Sequence, residues 1–393
     1  MRSLFLLGVF LMLTCSMQAQ KGIINKGALM VVSGNAVISA QGSGASYVNQ
    51  SAGAVSGRLS LDGKIYLQGD WLNNADGGTV LLNPSNDGEV IFQGNSAQTI
   101  GGNLPTGFGK ISVNNSQGVF LSNHISVAGD LVLGTGSIYL ADYHLTLGPL
   151  SAIGGVPSEM AMVITDGTGE MRKKFDAPAS FVFPVGDNTN VQEYAPVSVL
   201  LPSGTFAADA FASVRVFNTK HPMNSSSVNY LNRYWTMSQS GINDFSAELK
   251  FYYSPADVQG DELVLFGGQY TAPLWTKLSA VNTAEHSFSA TTNVLSEFTA
   301  GESSAFESTL VAEEKFHVRM YTWRSNLIIA ADNPEVLGPF VGIYNLAGQM
   351  VQSSALQKEK INQIQTFLPA GIYIVKMAGR ERVYTAKLYF AGH

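Results

Sequence analysis

The clearest periodic signal lies between residues 119 and 147. Apolar residues recur in pairs at i and i+2: Val119/Leu121, Ile125/Val127, Leu131/Leu133, Ile138/Leu140 and Leu145/Leu147. Alternation puts both members of a pair on one face of an extended segment. Successive pairs begin 6, 6, 7 and 7 residues apart. The gaps carry turn chemistry, as in Ala128-Gly129-Asp130 and Gly134-Thr135-Gly136-Ser137. Three-residue strands bury too little to stand alone, at about 1.5–3 kcal/mol per buried side chain. They need neighbours above and below. The pattern predicts a parallel β-helix with three strands per coil and about 20 residues a turn. An antiparallel meander is the competing arrangement, for which such strands are short.

A longer echo extends the repeat. Ile65-Tyr66-Leu67-Gln68-Gly69-Asp70-Trp71-Leu72 resembles Ile125-Ser126-Val127-Ala128-Gly129-Asp130-Leu131-Val132. Three coils of equal length would give that offset. The repeat region is placed at 20–155, with six or seven coils. After Gly154-Gly155-Val156-Pro157 the alternating runs lengthen. Phe181–Asp187, Val197–Leu201, Ala212–Val216, Ala247–Tyr253 and Glu262–Phe266 read as strands of an antiparallel sandwich over 156–302. The polar stretch 303–315 reads as a linker.

The last segment, 316–393, has strand-like runs near 315–322, 325–330, 339–345, 349–356, 361–367, 371–378 and 382–390. Leu346-Ala347-Gly348 is a hairpin connection with glycine where positive φ is needed. Pro369-Ala370-Gly371 is a second turn. The runs Asn345-Leu346-Ala347-Gly348-Gln349-Met350-Val351 and Leu368-Pro369-Ala370-Gly371-Ile372-Tyr373-Ile374-Val375-Lys376 resemble the type A C-terminal sorting domain of cargo of the Bacteroidetes type IX secretion system. Lys387-Leu388-Tyr389-Phe390 stands close to the end, as in that family. Tyr321-Thr322-Trp323-Arg324 replaces the usual Pro-Asn-Pro opening, and three residues follow Phe390. The resemblance implies an Ig-like β-sandwich that partners the type IX machinery. It also implies removal of the tail and a passenger anchored to lipopolysaccharide or released. Its sorting residues fall on Asn345, Gly348, Gln349, Leu368, Pro369, Gly371, Tyr373 and Lys387.

The other end carries a matching signal. Met1-Arg2-Ser3 precedes an apolar run, Leu4 to Leu13, too short to span a bilayer. Residues 1–19 read as a secretory signal peptide cleaved after Ala19. The one cysteine, Cys15, falls inside it, so the mature chain is expected to hold no disulfide. With 40 glycines, 13% charged and 45% hydrophobic residues, the chain reads as all-β rather than helical or disordered. A net charge of −6 without a Lys/Arg cluster gives no nucleic-acid face.

Candidate chemistry is sparse. No nucleophile elbow, H-E-x-x-H or phosphate loop occurs, and the expectation is a non-enzymatic protein with no cofactor and no metal. His124 and His144 stand where successive coils would stack them. Asp70 and Asp130 are expected in equivalent turns, their carboxylates on local backbone N–H groups. In the middle region Tyr234, Trp235 and Trp275 are candidate glycan contacts. Buried, they would be core instead, with Arg233 reaching an acid such as Asp257. The expected protein is secreted or held on the outer-membrane exterior. Its role would be adhesion or surface structure, with an extracellular glycan or protein as partner. A glycan-binding module or polysaccharide-acting enzyme is the alternative.

Overall fold

In a computed structural model the described residues are 22–77, 81–82, 87–307, 318–379 and 383–391. The expected signal peptide, with its cut at Ala19, and residues 308–315 of the expected linker lie outside them. The chain divides into two compact units, Met1–Ser308 and Thr309–His393.

The first unit opens with a parallel β-solenoid of about seven turns. One face stacks Ile23–Lys26, Tyr47–Ala52, Trp71–Asn74, Gln98–Gly102, Val119–Leu121, Ile138–Tyr139, Val163–Ile164 and Val185–Asp187. A second stacks Val37–Ala40, Lys64–Leu67, Glu89–Phe92, Lys110–Asn114, Leu131–Thr135 and Ile153–Gly155. The third begins with Leu29–Val32, Arg58–Leu61 and Leu81–Leu82. It continues through Thr106–Phe108, Ile125–Val127, Leu145–Leu147 and Met171–Lys174. Strands bonded to one another within these stacks run in parallel register, which rules out the meander. The five i, i+2 pairs supply all three faces, and each of their ten residues is at most 4% exposed.

Coil length is not constant. Register partners step from Tyr47 to Trp71 and from Trp71 to Ile100, but only from Val119 to Ile138. The echo between Ile65 and Ile125 is therefore not a run of whole coils. Ile65 lies on the second face and Ile125 on the third. Corners absorb extra residues without disturbing strand register, so residue counting loses the phase from coil to coil.

Polar side chains inside the solenoid form ladders of their own. Asn25, Asn49 and Asn73 are successive register partners on the first face, each at most 5% exposed. Their amides donate inward to backbone carbonyls: Asn25 to Arg58 O at 2.8 Å, Asn49 to Gly57 O at 2.8 Å and Asn73 to Pro105 O at 3.2 Å. Gly57 and Pro105 lie in corners between strands, and Asn49 and Asn73 satisfy their carbonyls. Tyr47 and Trp71, also register partners, stack with centroids 4.3 Å apart. Parallel in-register strands bring like residues together this way.

The antiparallel part grows out of the third face. Met171–Lys174 pairs in parallel with Leu145–Leu147 and antiparallel with Val197–Phe217, with Met171 opposite Val214. Val197–Phe217 pairs along Tyr234–Tyr252, and the whole forms one branched 13-stranded sheet. The predicted strands 197–201 and 212–216 are the ends of that single strand. Register shifts around Ser203 and between Phe206 and Phe211 accommodate Pro202 and Gly204 between them. The predicted strand at Glu262 begins later. Glu262–Val264 is a 3₁₀ turn, because Asp261 caps it by accepting from Leu263 N at 3.0 Å, and the strand starts at Leu265. Residue 155 ends a strand, and the parallel ladder runs on to Val185. One hydrophobic cluster runs from Val32 to Ala300, so solenoid and antiparallel sheet share a core. Part of the expected linker belongs to this unit: Ser303–Ala305 is a 3₁₀ turn and Phe306 is buried.

Among the described residues the second unit has seven antiparallel strands in two sheets. Val318–Trp323, Asn326–Ala331 and Ile361–Gln365 make one; Phe340–Tyr344, Met350–Ala355, Gly371–Ala378 and Val383–Phe390 make the other. These match the seven runs read from the sequence. Leu327, Ile329, Val341, Ile343, Val375 and Met377 fill a core of the unit's own.

Candidate functional site

The predicted aromatic residues separate by strand alternation. Along Tyr234–Tyr252, Trp235 and Met237 turn inward while Tyr234 and Thr236 turn outward. Trp235 is fully buried against Phe251 and Phe288, and its indole N–H donates to Ala195 O at 3.0 Å. It presents no face to a sugar, which removes it as a glycan contact and makes it core. Tyr234 and Trp275 do converge. Trp275 sits on a hairpin of Leu265–Thr271 and Leu274–Ala280 that turns at Ala272-Pro273, whose peptide bond is cis.

The residue at the centre, His221, is isolated in the sequence. Tyr234, Tyr270 and Trp275 set their rings edge-on around it, with centroids 4.9, 5.3 and 4.9 Å away. Tyr234 also stacks flat on Phe217 at 4.5 Å. His221 Nδ1 accepts from Met223 N at 3.1 Å, so Nε2 carries the proton and donates to Glu297 Oε2 at 2.5 Å. Burial pushes the His221 pKa down, with Glu297 opposing, and the imidazole stays neutral. Trp275 Nε1 donates to Met223 O at 3.1 Å, closing the loop over the ring. The Glu297 side chain is 42% exposed. A partly open carboxylate thus borders a platform of Tyr234, Tyr270 and Trp275, an arrangement suited to a ligand with apolar C–H faces and hydroxyl donors. Spacing gave no signal for His221 or Glu297, which are 76 residues apart.

Arg233 makes a second cluster. Its guanidinium is fully buried and meets three carboxylates: Asp187 at 2.5 Å, Glu193 at 2.6 Å and Asp257 at 2.6 Å. Asp257 is the acid expected from the sequence; the other two come from the last solenoid strand, Val185–Asp187, and the antiparallel strand Glu193–Tyr194 beside it. Burial works against the Arg233 charge, but Asp257 and Asp187 outweigh it and hold the pKa above its ordinary value. Burial also raises Glu193, with Asp257 adding to it, and raises Asp257 against the pull of Arg233. One cation among three buried acids favours a retained proton. The cluster bolts the solenoid end to the antiparallel sheet.

The corner residues serve the stack. Asp70 accepts from Thr99 N at 2.7 Å and Asp130 from Ala152 N at 3.3 Å. These amides belong to the next coil, so the bonds are not local to the turn. The two aspartates also sit at different corners, one before the first face and one before the second. His124 and His144 do stack, with centroids 4.8 Å apart. Their Nδ1 atoms accept from His144 N at 3.0 Å and Glu170 N at 3.1 Å. Burial and Arg172 lower the His144 pKa. Among the described residues no group of three or more His, Cys, Asp or Glu could hold a metal ion.

In the second unit the sorting residues build two turns. Asn345 N donates to Gln349 O at 2.9 Å, and Gln349 N returns a bond to Asn345 Oδ1 at 2.9 Å. Asn345 Nδ2 reaches Gln349 Oε1 at 2.8 Å, and Gly348 lies at φ +81°. The motif is thus a hairpin clasp. Leu368 packs against the core, and Tyr373 donates to Pro369 O at 3.2 Å, holding the second turn. Gly371 pairs with Phe390, and exposed Lys387 pairs with Ile374.

Residues 324–390 match the secretion system C-terminal sorting domain family. The tail is a type IX sorting domain, a family that implies a Bacteroidetes origin and export through the type IX machinery. The chain is accordingly a secreted or cell-surface protein. No curated protein and no solved structure matches it.

Proposed function

We propose that the mature protein is a non-enzymatic β protein displayed on or shed from the cell surface, acting in adhesion or surface structure. The observation that carries this reading is the single core joining solenoid and antiparallel sheet. It makes a rigid body with extended faces, delivered outside the cell by its tail. The tail is removed on export, and the passenger is held by lipopolysaccharide or released. Protease treatment of intact cells tests the display: full protection of the cell-associated protein would defeat it. The mass of the exported form tests the processing, and it should lack the segment from about Phe316 onward.

A second reading is favoured by the convergence of Tyr234, Tyr270 and Trp275 beside Glu297. These residues form a glycan-contacting platform, with the sugar's apolar face on the rings and a hydroxyl on the carboxylate. A glycan array with Tyr234→Ala and Trp275→Ala controls decides it. Binding indifferent to both substitutions removes this reading.

A further inference from the structure

The hairpin that carries Tyr270 and Trp275 has a second side. Alternation sends those two rings one way and Gln269, Thr271 and Thr276 the other. There an open groove of about 500 Å³ is bounded by Ser246, Gln269, Thr271, Thr276, Thr291 and Asn293, with Thr292 and Val294 at its end. Its volume falls in the range of small-ligand sites, about 300–1,000 Å³. None of these side chains is charged.

Two features mark the groove as more than a surface dip. Ser246, Thr276, Thr291 and Asn293 line this space, and none of the four makes a side-chain hydrogen bond to a described residue. Beneath them Gln269, only 6% exposed, is fixed in place. Its amide nitrogen reaches Thr292 Oγ1 at 3.0 Å, Val294 O at 2.9 Å and Ser296 Oγ at 3.0 Å. Its Oε1 receives no donor from the described residues. The floor is rigid and the walls are polar and unengaged.

Hydroxyls both donate and accept and rotate to suit, so a hydroxyl wall complements a ligand made of hydroxyls. An ionic ligand would shed water here and gain no countercharge. Threonine methyls and Val294 offer apolar contact for C–H groups.

We propose that this groove binds an uncharged saccharide. The inference is independent of the aromatic platform, which lies on the hairpin's opposite side. Calorimetry of the full chain against uncharged gluco-, manno-, xylo- and galacto-hexasaccharides, with polygalacturonate as the anionic probe, tests it. The expected result is binding of at least one uncharged probe. The double variant Thr276→Val, Thr291→Val should weaken that binding about tenfold or more. The variant Thr276→Ser, Thr291→Ser should restore it. Circular dichroism melting of each variant confirms the fold. The proposal is overturned by no binding at millimolar probe, by preference for polygalacturonate, or by binding untouched in the valine variant. Loss in Trp275→Ala alone also overturns it, and assigns the ligand to the aromatic side.

Discussion

Arg233 holds together three acids that would otherwise repel one another in the core. Replacing it with methionine leaves those carboxylates without a cation, and urea unfolding should show a loss of about 3–5 kcal/mol. The raised acids set a pH dependence. Glu193 and Asp257 bind a proton more tightly in the folded chain than at their ordinary values of 4.5 and 3.8. Their contribution to stability is complete below those values and fades as pH rises through the raised ones. Melting temperature should therefore fall across that window as pH increases, and Glu193→Gln should flatten the slope. A slope identical in the variant would show that the proton sits elsewhere. The two tryptophans separate cleanly. Trp235→Ala opens a cavity and should cost about 3–5 kcal/mol, whereas Trp275→Ala should cost far less. The Arg233–Asp257 pair was readable because an arginine beside a tryptophan in an alternating strand needs a buried acid. Asp187 and Glu193 were not, since a pair of distant upstream strands brings them in.

At the scale of elements, the asparagine ladder and the hairpin clasp repay testing. Asn73→Ala removes the bond to Pro105 O and should lower stability by about 0.5–1.5 kcal/mol in denaturant unfolding. In the sorting unit, a Cβ on Gly348 would meet nothing within 4 Å, so crowding is not the issue. Its φ of +81° is, and Gly348→Val should cost about 1–2 kcal/mol. Short strands with i, i+2 pairs were legible because one buried face forces alternation. The seven tail strands were legible because turn residues punctuate them. Coil phase was not, because corner length is free. Glu262 shows the other failure, where a capping aspartate overrode an apolar run.

At the scale of the molecule, the two units have separate cores. Deleting residues 316–393 should leave the melting of the passenger unchanged while abolishing its arrival outside the cell. Fractionation and calorimetry on one sample check both halves, and unaltered location would undo the sorting assignment. The solenoid carries a mechanical consequence. Its strands are bonded coil to coil, with Tyr47 on one coil pairing Trp71 on the next. A cell tethered at one end of such a body and loaded at the first coil would shed one coil at a time. Each release would let out about 60–100 Å of chain, at about 3.3–3.6 Å per residue, the step varying with the coil. Pulled in a force spectrometer, the passenger should give a sawtooth of small, repeated steps, a shock absorber geared by its own coil length.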